Sequence, residues 1–150
     1  MKATPLIAAV FAVALHGYAL ADDQSEAVEM ATDNLSFEMS QCASFHKVVA
    51  ACLFRSNQNE GAEQVRKSGV AYLEVAAWLA KRAGISKLDE TLVARDNMAV
   101  KDMRKSIDDD CRSVSILLDK YGDRCKAIAD NPSAALNEYI AQAEQRANEH

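Results

Sequence analysis

Residues 41–52 read QCASFHKVVAAC and set two cysteines, Cys42 and Cys52, ten positions apart with His46 between them. Cys42, Phe45, Val49 and Cys52 recur at spacings of three and four, the period of a helix with one apolar face. Extended back through Leu35 and Met39, the pattern predicts a first helix over about Leu35 to Arg55, ended by the polar run SNQNEG at residues 56–61. A helix rises about 1.5 Å per residue, so Cys42 and Cys52 lie roughly 15 Å apart along it, well past the ~7 Å limit between bridged Cα atoms. They cannot bond each other, and any disulfide they form ties this helix to another part of the chain.

The chain opens MKATPLIAAVFAVALHGYALADDQ, with Lys2, an apolar run from Pro5 to Leu15, and ALA at residues 19–21 ahead of Asp22. That is the pattern of a secretory signal peptide over residues 1–21. The run is shorter than the ~18–20 residues of a spanning helix and acidic residues follow at once, so no stable membrane insertion is expected after cleavage. No cysteine stands near Ala21 to carry a lipid. The expected product is a periplasmic or secreted chain over residues 22–150, within the ~100–150 residues of one domain that buries its own core. With 17 Lys and Arg against 22 Asp and Glu, a net charge of −5 and no basic cluster, nucleic acid is not an expected partner.

After residue 21 only Pro132 and the glycines Gly61, Gly69, Gly84 and Gly122 interrupt the chain, and no segment alternates with a period of two. The fold class is therefore all-α. The acidic start DDQSEAVEMATD, residues 22–33, lacks a strong stripe and is expected either to fray or to lead into the first helix. A second helix is predicted from about Ala62 to Ala83, with Val65, Tyr72, Ala76 and Leu79 inward. Gly84 supplies a left-handed cap with Ile85 packing back, and Ser86 caps the next helix with Asp89 three residues on. Leu88, Leu92, Ala99, Met103, Ile107, Cys111, Val114, Leu118 and Tyr121 form a stripe that falters at Arg95 and Asp96, where a core position falls. This predicts a short helix followed by one from about Asn97 to Tyr121, with one continuous helix as the alternative. Asn131 as cap and Pro132 in the first turn open a last helix that carries Leu136, Ile140 and Ala143 inward. The expected fold is a disulfide-crosslinked helical bundle of about four main helices.

Four cysteines in an exported chain, Cys42, Cys52, Cys111 and Cys125, are expected to form two disulfides. If the first and third main helices run parallel, Cys42 meets Cys111 and Cys52 meets Cys125, and this pairing is favoured. A reversal of the chain near Cys111 gives the nested pairing instead, Cys42 with Cys125 and Cys52 with Cys111.

Candidate chemistry is sparse. Met39, Cys42 and His46 at i, i+3 and i+7 offer soft-metal donors, but a bridged Cys42 is no thiolate, and no metal site is assigned. IDDDC at residues 107–111 lacks calcium-loop spacing, and Arg104–Asp108 and Lys105–Asp109 are read as i, i+4 pairs on a solvated helix face. No C-x-x-C-H sequence is present. A noncovalent haem would need His46 with Met98 or Met103, which read as core methionines at helical spacing. After the leader the histidines are only His46 and His150, so no nucleophile and base assemble and no catalytic or cofactor-binding residue is assigned. Asn34-Leu35-Ser36 matches a glycosylation acceptor, and Trp78 is expected in the core. The function expected from these absences is that of an exported, non-enzymatic helical protein acting on an unidentified protein partner, as inhibitor, immunity factor, adaptor or envelope component. The alternative is a carrier of a metal or hydrophobic cofactor in the bundle core.

Overall fold

The computed structural model describes residues 22–147, and the leader expected over residues 1–21 lies outside them. Among the described residues there is no strand. The helices are α1 (Asp22–Arg55), α2 (Asn59–Arg82), α3 (Leu88–Ser106), the single turn α4 (Ser115–Leu117), α5 (Asp123–Asp130) and α6 (Pro132–Ala147). A 3₁₀ turn at Cys111–Ser113 precedes α4, and a π-helical turn at Leu118–Gly122 joins α4 to α5.

At 34 residues α1 is about 50 Å long, and α2, α3 and α6 all pack against it. The acidic start forms the first turns of α1, where Ala31 and Thr32 are buried and Thr32 Oγ1 donates to the Val28 carbonyl at 2.6 Å. Leu35, Met39, Cys42, Phe45, Val49 and Cys52 are all buried, as the stripe requires. So are Ser36, Ser40, Ser44, Val48 and Ala50 on other faces. A helix covered around most of its circumference acts as the axis of the fold.

The α1–α2 seam has a repeat of small residues. Ala62, Gly69 and Ala76 on α2 and Ala83 at its C-cap recur every seven positions, and Ser36, Ala43 and Ala50 do so on α1. Ser36 Oγ donates to the Ala76 carbonyl at 2.8 Å, and a Cβ at Gly69 would stand 3.0 Å from His46 Cβ and 3.2 Å from the Ala43 carbonyl oxygen. Each step of seven along α1 is matched by seven in the opposite direction on α2, which sets buried Ala50 opposite buried Ala62. The heptad thus brings two antiparallel backbones close on one side, while Val65, Tyr72 and Leu79 fill the other.

Arg95 and Asp96 do not break the third helix; α3 runs through both. They are tolerated at inward positions because α1 presents polar partners there. Arg95 donates to Asp33 at 2.7 Å and to Ser36 Oγ at 3.2 Å, while Asp96 accepts from Ser44 Oγ at 2.8 Å and Lys47 Nζ at 2.6 Å. The hydroxyls of Ser40 and Ser44 also reach back one turn to the carbonyls of Ser36 and Ser40. Every buried side-chain nitrogen and oxygen among the described residues has a partner, which removes the penalty of desolvating them alone. The α3 N-terminus differs from expectation in one detail: it starts after Lys87 with no side-chain cap, so Ser86 does not serve.

The actual break comes later. After Ser106 the chain turns through Asp108 and Asp109, at φ of 51° and 55°. The Asp109 N–H bonds to the Arg104 carbonyl at 2.9 Å and the Asp108 N–H to that of Lys105 at 3.2 Å. Gly84, at φ 72°, ends α2 with the same pair of bonds, from Ile85 to Ala80 and from Gly84 to Lys81. Aspartate tolerates the left-handed region better than most side chains, so a helix ends here without glycine. IDDDC is therefore a chain reversal rather than a helix face, and the expected Arg104–Asp108 and Lys105–Asp109 pairs do not form. Asp110 instead accepts from the Arg112 N–H at 3.0 Å and pairs with its guanidinium at 2.7 Å.

The reversal overturns the favoured disulfide pairing. Past it the chain runs back along α1, meeting Cys52 first and Cys42 later, so the bridges are Cys52–Cys111 and Cys42–Cys125, with Cα atoms 5.2 and 5.6 Å apart. The predicted helix from Asn97 to Tyr121 is likewise replaced by α3, the reversal and α4. Register slips with it: Leu117 is fully buried, whereas Leu118 is half exposed. The last helix matches expectation, with Asn131 Oδ1 accepting from the Ala134 N–H at 3.1 Å and Leu136 and Ala143 buried.

Candidate functional site

The α1–α2 pair has two flanks, covered to different degrees. The returning segment closes the first. Cys125 is bridged to Cys42, its carbonyl accepts from Tyr72 Oη at 2.7 Å, and the His46 ring lies 4.9 Å from that of Tyr72. Glu38 on α1 accepts from Arg124 on α5 at 2.6 and 3.0 Å and from Tyr139 Oη on α6 at 2.5 Å, and Arg124 also reaches Glu138 at 3.0 Å. Burial, reinforced by the bond to Glu38, pushes the Tyr139 phenol up to about 12, and the Glu38 carboxylate holds Arg124 still more firmly charged. This cluster clamps three helices together.

The second flank stays partly open. There α3 packs chiefly on α1 and touches α2 little, leaving a groove of about 740 Å³ between the three helices. Ala43, Ala50 and Gly69 make its floor, and small residues there follow from the tight α1–α2 seam. Phe54 from α1, Val70 and Leu73 from α2 and Val93 from α3 stand along it, each between 41% and 59% exposed. Together these side chains make one contiguous apolar surface along the groove.

Charges mark the edges of the groove. Lys47 is paired with Asp96 across α1 and α3, and Arg66 binds Glu63 through two bonds of 2.7 and 2.8 Å. Asp89, in the first turn of α3, makes no hydrogen bond or ion pair among the described residues.

The residues singled out by sequence are mostly elsewhere. All four cysteines are bridged. Met39 is core, and His46 uses Nδ1 to donate to the Cys42 carbonyl at 2.8 Å, while burial lowers its pKa below the usual imidazole value. Met98 is exposed and Met103 fully buried on α3. Among the described residues no group of three or more His, Cys, Asp or Glu side chains is placed to hold a metal ion, and no helix is long and apolar enough to cross a membrane. Asn34 lies inside α1, and Ser36 of its acceptor triplet is fully buried. Trp78 is not core; it is 37% exposed, with the Arg82 guanidinium 4.8 Å from its ring centroid.

The groove itself was not anticipated. Two signals point to it: Val70 and Leu73 lie off the inward stripe of α2, and glycine and alanine recur by sevens beside them. No protein-family model matches this sequence, and neither a curated protein nor a solved structure matches it.

Proposed function

We propose that this is an exported, non-enzymatic helical module that acts by binding another protein through the groove between α1, α2 and α3. The observation that carries the reading is the groove: four large apolar side chains stay well exposed along it, on a scaffold whose buried side-chain nitrogens and oxygens are all partnered among the described residues. Such surfaces mark interaction sites. Export is supported by the leader pattern and by two disulfides, which persist in oxidising compartments. Inhibitor, immunity factor, adaptor and envelope component are all roles such a module can fill.

The test compares the oxidised protein as bait in an envelope extract with the same bait carrying Leu73→Glu and Val93→Glu. A partner held by the native bait and lost by the variant, with helicity and melting temperature unchanged, supports the reading. A partner held equally by both overturns the assignment to the groove. A purified protein carrying stoichiometric metal or a visible chromophore favours the carrier alternative.

A further inference from the structure

The groove lies where a fourth helix sits in a four-helix bundle, bordered by three helices of which α1 is the floor. Its lips run from Arg66 to Leu73 on α2 and from Asp89 to Asp96 on α3, and its floor from Ala43 to Phe54 on α1. At 1.5 Å per residue those spans amount to about two turns at the lips and three along the floor. Resting on the binding function above, we infer that the groove receives an amphipathic helix of a partner protein, about three turns long. Its large apolar side chains fall at i, i+3 or i+4, and i+7, and it carries a lysine or arginine that reaches Asp89.

The charges decide among occupants. Among the described residues the groove's cations are Lys47 and Arg66, engaged by Asp96 and Glu63, so an anionic amphiphile finds no unpaired cation there for its headgroup. The unpartnered charge on the rim is the carboxylate of Asp89, which calls for a cation. Val70, Leu73 and Val93 along the rim stay 41% to 59% exposed. A small ligand would keep a wet outer side, whereas a helix brings its own polar face to cover the site.

A second copy of this chain fits less well. Among the described residues an exposed apolar pair at helical spacing outside the groove is Met30 with Phe37 on α1, two anchors only, flanked by exposed Glu26 and Glu29, and the one guanidinium over it, Arg95 at 5.5 Å from the Phe37 ring, is already bound to Asp33. Docking that ridge would set carboxylates against Asp89. Ile116 and Leu118 are two residues apart at a helix irregularity and offer no ridge of three anchors.

The experiment places p-benzoylphenylalanine at Val70 or Val93 of the full chain in its native host, with Lys101 on α3 as an exposed control position. After irradiation the crosslinked peptide is sequenced by mass spectrometry. The expected product from Val70 and Val93 is one partner segment with apolar residues at the stated spacing and a nearby lysine or arginine. Its yield should fall roughly five-fold or more with Asp89→Lys and hold with Asp102→Lys, as expected when one attractive pair becomes repulsive. A crosslink to another copy of the chain, an adduct of small-molecule mass, a segment without the pattern, or indifference to Asp89→Lys overturns the inference. Capture of a protein from Lys101 alone overturns the groove but spares protein binding as the function. Capture of none from any position overturns both.

Discussion

Replacing Cys52 and Cys111 with alanine removes the inner bridge, and the nested connectivity sets the cost. With Cys42–Cys125 intact, the chain joining the bridges is ten residues from Cys42 to Cys52 and fourteen from Cys111 to Cys125. The second bridge therefore closes an effective loop of about 24 residues, not the 59 that separate its own cysteines. Chain entropy assigns about 3.5 kcal/mol to a loop of that size. Truncating buried Cys52 adds a packing loss on the order of 1 kcal/mol. Divided by an unfolding entropy of about 2.1 cal/mol/K per residue over residues 22–147, the total corresponds to a melting temperature lower by roughly 15 °C. Removing Cys42 and Cys125 instead deletes the same effective loop, so the entropic loss is equal. Both of those cysteines are in the deep core, and any extra fall in that variant reads packing alone. The assay is thermal denaturation followed by far-ultraviolet circular dichroism, with thiols titrated under denaturant to confirm the surviving bridge. A shift below about 5 °C, or a non-reducing digest of the parent protein that links Cys42 to Cys111, refutes the reasoning.

Gly69→Val should destabilise by about 2 kcal/mol through overpacking against His46 and the Ala43 carbonyl, whereas Gly61→Ala, with its nearest neighbour 4.0 Å away, should stabilise by roughly 0.5–1 kcal/mol; urea unfolding measures both, and a tolerated Gly69→Val breaks the close-seam account. Tyr139→Phe should cost about 1–2 kcal/mol by removing the bond to Glu38 and should abolish a phenol titration near 12; since the folded protein holds that proton above the ordinary value near 10, stability should fall as pH rises from about 10 to 12 in the parent and less in the variant. His46 should titrate below the usual 6.5 by proton NMR; because the unfolded chain takes up that proton first, its contribution to stability is complete above 6.5 and is lost as pH falls through the folded value, and a midpoint above 6.5 contradicts its burial.

What could be read from the sequence were the features set by local period. The stripes of α1, α2 and α6, the Gly84 cap and the Asn131 cap depend on neighbours three or four residues away and came out as expected. Arg95 and Asp96 misled because their fitness depends on Ser36, Ser44 and Asp33, which are more than fifty residues distant. A polar residue at a core position signals a break only if nothing polar faces it. The reversal at Asp108 was hidden because it has no glycine or proline, and with it went the disulfide pairing. Off-stripe Val70 and Leu73 hint at the groove, but its walls are defined by where α3 sits relative to α2, which neither helix encodes alone.

The nested bridges also govern what happens when a protease cuts the chain. The connections at residues 56–58, 83–87 and 107–110 all fall between Cys52 and Cys111. A single nick in any of them leaves both fragments joined through sulfur, and each retains helices that pack against the other. Such a clipped molecule stays one covalent unit, heavier by one water, until a reductant is added, and its α1–α2 seam stays in register. Two cuts on this stretch are needed before α2 or α3 can leave, so the walls of the groove survive a first cleavage there that would dismantle an uncrosslinked bundle.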